Sequence, residues 1–109
     1  MIAVVTFSIQ VQLISQLLKM AFPEFSEEIT IRGADNSWKY KGKGPSVGKQ
    51  SHMASAAEEV VKRTGVEINR SSTILIDDDG TNIEYAFENK TPGYIDLLIP
   101  NNQFNFLFF

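Results

Sequence analysis

Ile74-Leu75-Ile76-Asp77-Asp78-Asp79-Gly80-Thr81-Asn82-Ile83 sets three adjacent carboxylates at the end of an apolar, β-branched run. Residues Ser72 to Ile76 have the composition of a buried strand, and Gly80 breaks the chain just after the acids. Thr81 to Asn89 then reads as a short helix with Ile83, Ala86 and Phe87 facing inward. A strand that runs straight into a carboxylate turn and a helix is one unit of an alternating α/β chain.

The flanking sequence repeats that alternation. Ile2 to Phe7 is a short apolar run and reads as a buried strand. Ser8 is an N-cap candidate for a helix whose stripe is Ile9, Leu13, Ile14, Leu17, Leu18 and Ala21, stopped by Pro23. Glu28 to Arg32 alternates polar and apolar residues and predicts a half-exposed strand ending at Gly33. Gly33 to Gly48 reads as a long loop carrying Trp38, Tyr40 and three lysines. A second helix starts near Lys49, with Met53, Ala56, Ala57, Val60 and Val61 on one face and Gly65 as its stop. Pro92-Gly93 turns the chain into a fourth strand, Tyr94 to Ile99. The expected fold is α/β: a three-layer, Rossmann-like, mostly parallel sheet of about four strands, with helices on both faces. One domain is expected over residues 1–99, followed by a Phe-rich tail at 100–109. In such a sheet the C-terminal strand ends share one edge, where ligands bind; Thr6 and the three aspartates lie at such ends.

Composition narrows the functions. Ten Lys and Arg against thirteen Asp and Glu leave a net charge of −3, which disfavours a general nucleic-acid binder. The chain has no cysteine and a single histidine, His52, which excludes thiolate chemistry and multi-histidine metal centres. The first eighteen residues are uncharged, but Ser8, Gln10, Gln12, Ser15 and Gln16 interrupt them, so neither a signal peptide nor a membrane span fits. The default location is cytoplasmic.

The acidic cluster admits two readings. Adjacent carboxylates at a strand end are costly unless a cation neutralises them, and Mg²⁺ takes one or two carboxylates with water and phosphate oxygens. Alternatively, the aspartates cap the following helix. An EF-hand fails, because placing its glycine at Gly80 puts Leu75 and Ala86 at ligand positions. Gly44 to Gln50 resembles a Walker A loop, but it is one residue short and lacks the hydroxyl after Lys49. His52 is expected on the helix surface. Trp38 and Tyr40 are expected to cover a sheet edge, with a substrate-facing lid as the other choice.

Together these positions resemble the C-terminal half of the haloacid dehalogenase superfamily of Mg²⁺-dependent phosphohydrolases. Val4-Val5-Thr6-Phe7-Ser8 is similar to the family's second motif, and the resemblance implies that Thr6 binds phosphate. Gly48-Lys49-Gln50 is similar to the third, with Lys49 stabilising phosphate charge. Residues 74–83 are similar to the fourth, with Asp77 and Asp78 as Mg²⁺ ligands and Asn82 in support. The family's nucleophile belongs to a first motif, Asp-x-Asp, on a central strand that precedes the second. Only five residues precede Thr6, and none is an aspartate. The strands ending at Thr6 and Asp77 would then pair directly, or another chain would fill the gap between them.

Asp77-Asp78-Asp79-Gly80-Thr81 also satisfies the form of the first motif. Asp77 would then be the nucleophile and Asp79 the general acid/base, in a permuted order, since 28 residues follow Thr81. The expected function is a phosphatase-derived domain with a Mg²⁺/phosphate pocket and no nucleophile of its own, inactive alone. The competing enzyme is a Mg²⁺-dependent phosphomonoesterase using Asp77 or a strand from another chain. The non-catalytic alternative is an interaction module, forming a homo-oligomer through its open sheet edge or the tail around Phe104, Phe106 and Phe108. Phosphate or a small phosphorylated ligand is the expected partner, with no nucleic acid and no membrane.

Overall fold

A computed structural model describes residues 1–91 and 93–95; the Phe-rich tail and the end of the expected fourth strand lie outside these. The chain alternates strand and helix: β1 (Ala3–Val5), α1 (Val11–Ala21), β2 (Thr30–Arg32), α2 (Gln50–Thr64), β3 (Leu75–Asp77), α3 (Gly80–Glu88) and β4 (Gly93–Ile95). Short 3₁₀ turns at Ser26–Glu28 and Arg70–Ser72 precede β2 and β3. The protein is thus an α/β fold with parallel strands and three helices among the described residues.

Pairing differs in form from a single continuous sheet. β1 pairs in parallel with β2, Ala3 opposite Thr30, and β3 pairs in parallel with β4, Leu75 opposite Gly93. Among the described residues these are two separate two-stranded sheets. A shared core nevertheless joins them. Ala3 and Val5 of β1, Met53 and Ala56 of α2, and Leu75, Ile83 and Ala86 form one buried cluster. Met53, Ala56 and Val60 recur at helical spacing, which is why α2 can seat its apolar stripe across both sheets. Arg32 fastens β2 to the same helix: its Nε donates to Ser55 Oγ at 2.9 Å and its guanidinium pairs with Glu59 at 3.4 Å.

Helix boundaries follow local chemistry. α2 ends at Gly65, whose φ of +71° is the left-handed stop expected there. Asp79 is the N-cap of α3, its carboxylate accepting from the Thr81 amide at 2.9 Å. The Ser8 hydroxyl accepts from Gln10 N, and α1 begins at Val11, two residues later than Ser8 as N-cap would start it. α1 buries none of its residues, and Leu13 and Leu17 of its stripe are exposed. Phe87, expected to face inward, is exposed instead. In the nine-residue α3 the buried positions are Asn82, Ile83 and Ala86, and Phe87 falls at the exposed flank of that face. No helix among the described residues is long and apolar enough to cross a membrane.

Candidate functional site

The site is built where β3 ends. Alternation along β3 turns Leu75 and Asp77 to the same buried face, so Asp77 follows the core into the interior and is 3% exposed. Lys49 reaches it from the residue preceding α2. Gly48 has φ of +55°, a conformation that L side chains rarely adopt, and a Cβ there would lie 2.7 Å from the Tyr85 ring. The glycine therefore lets the chain pass against α3 and swing Lys49 inward. Lys49 is 5% exposed, and its Nζ lies 2.8 Å from Asp77 Oδ2.

The rest of the Asp77 carboxylate is also engaged. Asn82 Nδ2 donates to Oδ2 at 3.0 Å, and the Asp79 amide donates to Oδ1 at 2.9 Å. Burial alone pushes the Asp77 carboxyl up; the hydrogen bond from Lys49, the Asp79 amide, the Lys49 charge and Asn82 together outweigh it and hold the group below the usual carboxylate range. Asp77 is thus a buried anion, fully ionised at neutral pH.

The expected site residues separate into those that meet and those that do not. Lys49, Asp77 and Asn82 are in contact. Thr6 stands at the end of β1, its Oγ1 accepting from the Ser8 amide at 3.1 Å, which leaves the hydroxyl proton free to donate. Its neighbour Phe7 meets Lys49, whose Nζ lies 5.6 Å from the ring centroid, within cation–π range. Asp78 and Asp79 are exposed, and Asp79 spends its carboxylate on the α3 cap. Of the two readings of the acidic cluster, the helix cap holds for Asp79, while the charge of Asp77 is met by Lys49.

No group of three or more His, Asp or Glu side chains converges as a metal shell among the described residues. The donor set fits Mg²⁺ only in its sparse form, with one or two carboxylates and the remaining positions from water or phosphate. Asp77 Oδ1 has one protein donor and so keeps a lone pair for a metal, whereas Oδ2 is taken up by Lys49 and Asn82.

Reading single residues from the sequence missed an aromatic group beside this pair. His52 lies in the first turn of α2 and is only partly exposed. The Phe7 ring meets it edge-on with centroids 5.2 Å apart, and the Trp38 ring lies at 4.6 Å, tilted by 60°. Trp38 is anchored by its Nε1, which donates to Gly33 O at 2.8 Å. Neither ring nitrogen of His52, both buried, has a hydrogen-bond partner. Burial, and then the Lys49 charge, push its imidazole below the ordinary histidine range. The spacing of Lys49 and His52, three apart on a helix, was the signal that both face one way. Comparison with family models, curated proteins and solved structures finds no match to this chain.

Proposed function

We propose that this chain is a haloacid-dehalogenase-like, phosphatase-derived α/β domain whose strand ends form a phosphate pocket with a place for Mg²⁺. The observation that carries the reading is the buried Lys49–Asp77 pair supported by Asn82. A lysine ammonium has three donors; one is spent on Asp77, and two remain for phosphate oxygens. The Thr6 hydroxyl would donate to the same phosphate, while Asp77 Oδ1 and Asp78 would hold the metal. Mg²⁺, when bound, would neutralise phosphate charge and polarise the phosphorus–oxygen bond.

The arrangement of β1 and β3 supports the finer fold proposal, a three-layer parallel sheet. Their entrances, Ile2 and Ala3 on one side and Thr73 and Ile74 on the other, line a single cavity of about 340 Å³. At their exits both approach Lys49, through Phe7 and Asp77. No ladder joins β1 to β3 among the described residues, and on this reading the two strands run side by side in one direction. That spacing suits a strand from another chain, entering parallel to both and bringing a nucleophilic carboxylate to the Lys49 end. Alone, this chain should not form a phosphoenzyme, because Asp77 is already held by three donors. Hydrolysis of a generic phosphomonoester with Mg²⁺ tests this: no turnover is expected, and turnover abolished by Asp77→Asn would make Asp77 the nucleophile instead.

One observation favours assembly as a second reading. Leu13, Leu17 and Met20 are exposed at helical spacing along α1, and Ile9, just before the helix, is exposed as well. Sedimentation should show self-association that Leu13→Ser/Leu17→Ser weakens; a monomer at all concentrations would remove this reading.

A further inference from the structure

The aromatic group beside Lys49 has no part in holding phosphate, yet it stands next to the lysine proposed to do so. Phe7 is 52% exposed although it lies only two residues beyond the end of β1 at Val5. One side of its ring is fixed by the edge-on contact with His52, and His52 is in turn backed by Trp38. The Lys49 ammonium sits 5.6 Å from the same ring. A phosphate held by Lys49 and Thr6 would therefore carry its organic group past Phe7. Aromatic rings pair best offset or edge-to-face, so this exposed ring offers a planar group a favourable surface that a flexible alkyl chain uses less well. His52 links the two outer rings of the wall, its imidazole packed against both Phe7 and Trp38 with its ring nitrogens buried.

We propose that Phe7, His52 and Trp38 form a specificity wall that selects phosphomonoesters carried on a flat aromatic or heteroaromatic group over those carried on an alkyl chain. The inference rests on the phosphate-pocket reading above and adds the class of ligand to it. The loop from Gly33 to Gly48 then has a definite task, which is to hold Trp38 through the Gly33 carbonyl so that His52 cannot swing away.

Calorimetric titration of the full chain with inorganic phosphate, phenyl phosphate and glycerol 3-phosphate, each with Mg²⁺, tests the proposal. The fluorescence of Trp38, the single tryptophan, provides a second readout. Phenyl phosphate should bind about three- to tenfold more tightly than glycerol 3-phosphate, the range expected of one aromatic pairing. Phe7→Leu should bring that ratio close to one. Because Phe7 is exposed, this variant should remain folded, and its circular dichroism checks that it does. Trp38→Leu, which removes the backing of His52, should reduce the ratio as well. Equal binding of the two esters, or a ratio unchanged in both variants, overturns the wall while leaving the phosphate pocket intact. Binding of none of the three ligands overturns the pocket and the wall together.

Discussion

Lys49 and Asp77 meet at 2.8 Å with both side chains almost wholly buried, though 27 residues, the whole of α2 among them, lie between them in sequence. A buried ion pair is seldom a gain over well-packed apolar side chains, because desolvating both charges costs about as much as their attraction returns. On the proposed reading, its presence at the strand ends in place of an apolar side chain reflects what the lysine does when a phosphate arrives.

Removing one partner should be far more damaging than removing both. Lys49→Met leaves the Asp77 charge buried without its cation and should cost about 3–5 kcal/mol in urea unfolding. Lys49→Met/Asp77→Asn should recover a large part of that loss. Equal destabilisation by the single and double variants would contradict the burial and pairing described.

Acid stability follows from the same group. The Asp77 carboxyl is held below its unfolded value, so its contribution is fully present above the ordinary carboxylate pKa of about 4 and is lost as pH falls through the lower folded value. Thermal unfolding followed from pH 6 to pH 2 should show this loss, and Lys49→Met/Asp77→Asn should flatten it.

His52 acts at a higher pH. Its imidazole is depressed in the folded protein, so acidification from about pH 6.5 protonates the unfolded chain first and lowers stability until the folded group also titrates. His52→Phe, which keeps the ring between Phe7 and Trp38, should remove that slope. A slope that persists in the variant would assign it to other groups.

Gly48 and Gly65 both have positive φ but different surroundings. A Cβ at Gly65 meets nothing within 4 Å, whereas at Gly48 it would stand 2.7 Å from Tyr85 and 3.1 Å from Asn82 Oδ1. Gly65→Ala should cost about 1 kcal/mol, the backbone penalty alone. Gly48→Ala should cost more and should also weaken phosphate binding, because it moves Lys49 away from Asp77.

Periodicity made the larger elements legible in the sequence. The stripe of Met53, Ala56 and Val60, the stop at Gly65 and the alternation of strand and helix all depend on neighbouring residues, and all stand in the structure. The Lys49–Asp77–Asn82 contact was accessible only through resemblance to a family, since no local rule links a residue before one helix to the end of a distant strand. His52 escaped for a related reason. Helical spacing placed it near Lys49, but only the fold of the Gly33 to Gly48 loop brings Trp38 over it. Strand pairing was least legible: apolar runs of three or four residues specify that they are buried but not which edge they share.

The most direct measurement of the central claim is a calorimetric titration of the chain with inorganic phosphate in the presence of Mg²⁺, repeated on Thr6→Val, which removes a hydroxyl without touching the Lys49–Asp77 pair. The account predicts millimolar or tighter binding by the wild-type chain and about a tenfold loss in the variant, the worth of one hydrogen bond to a charged ligand. Absence of binding at millimolar phosphate, or binding that Thr6→Val leaves unchanged, would contradict it.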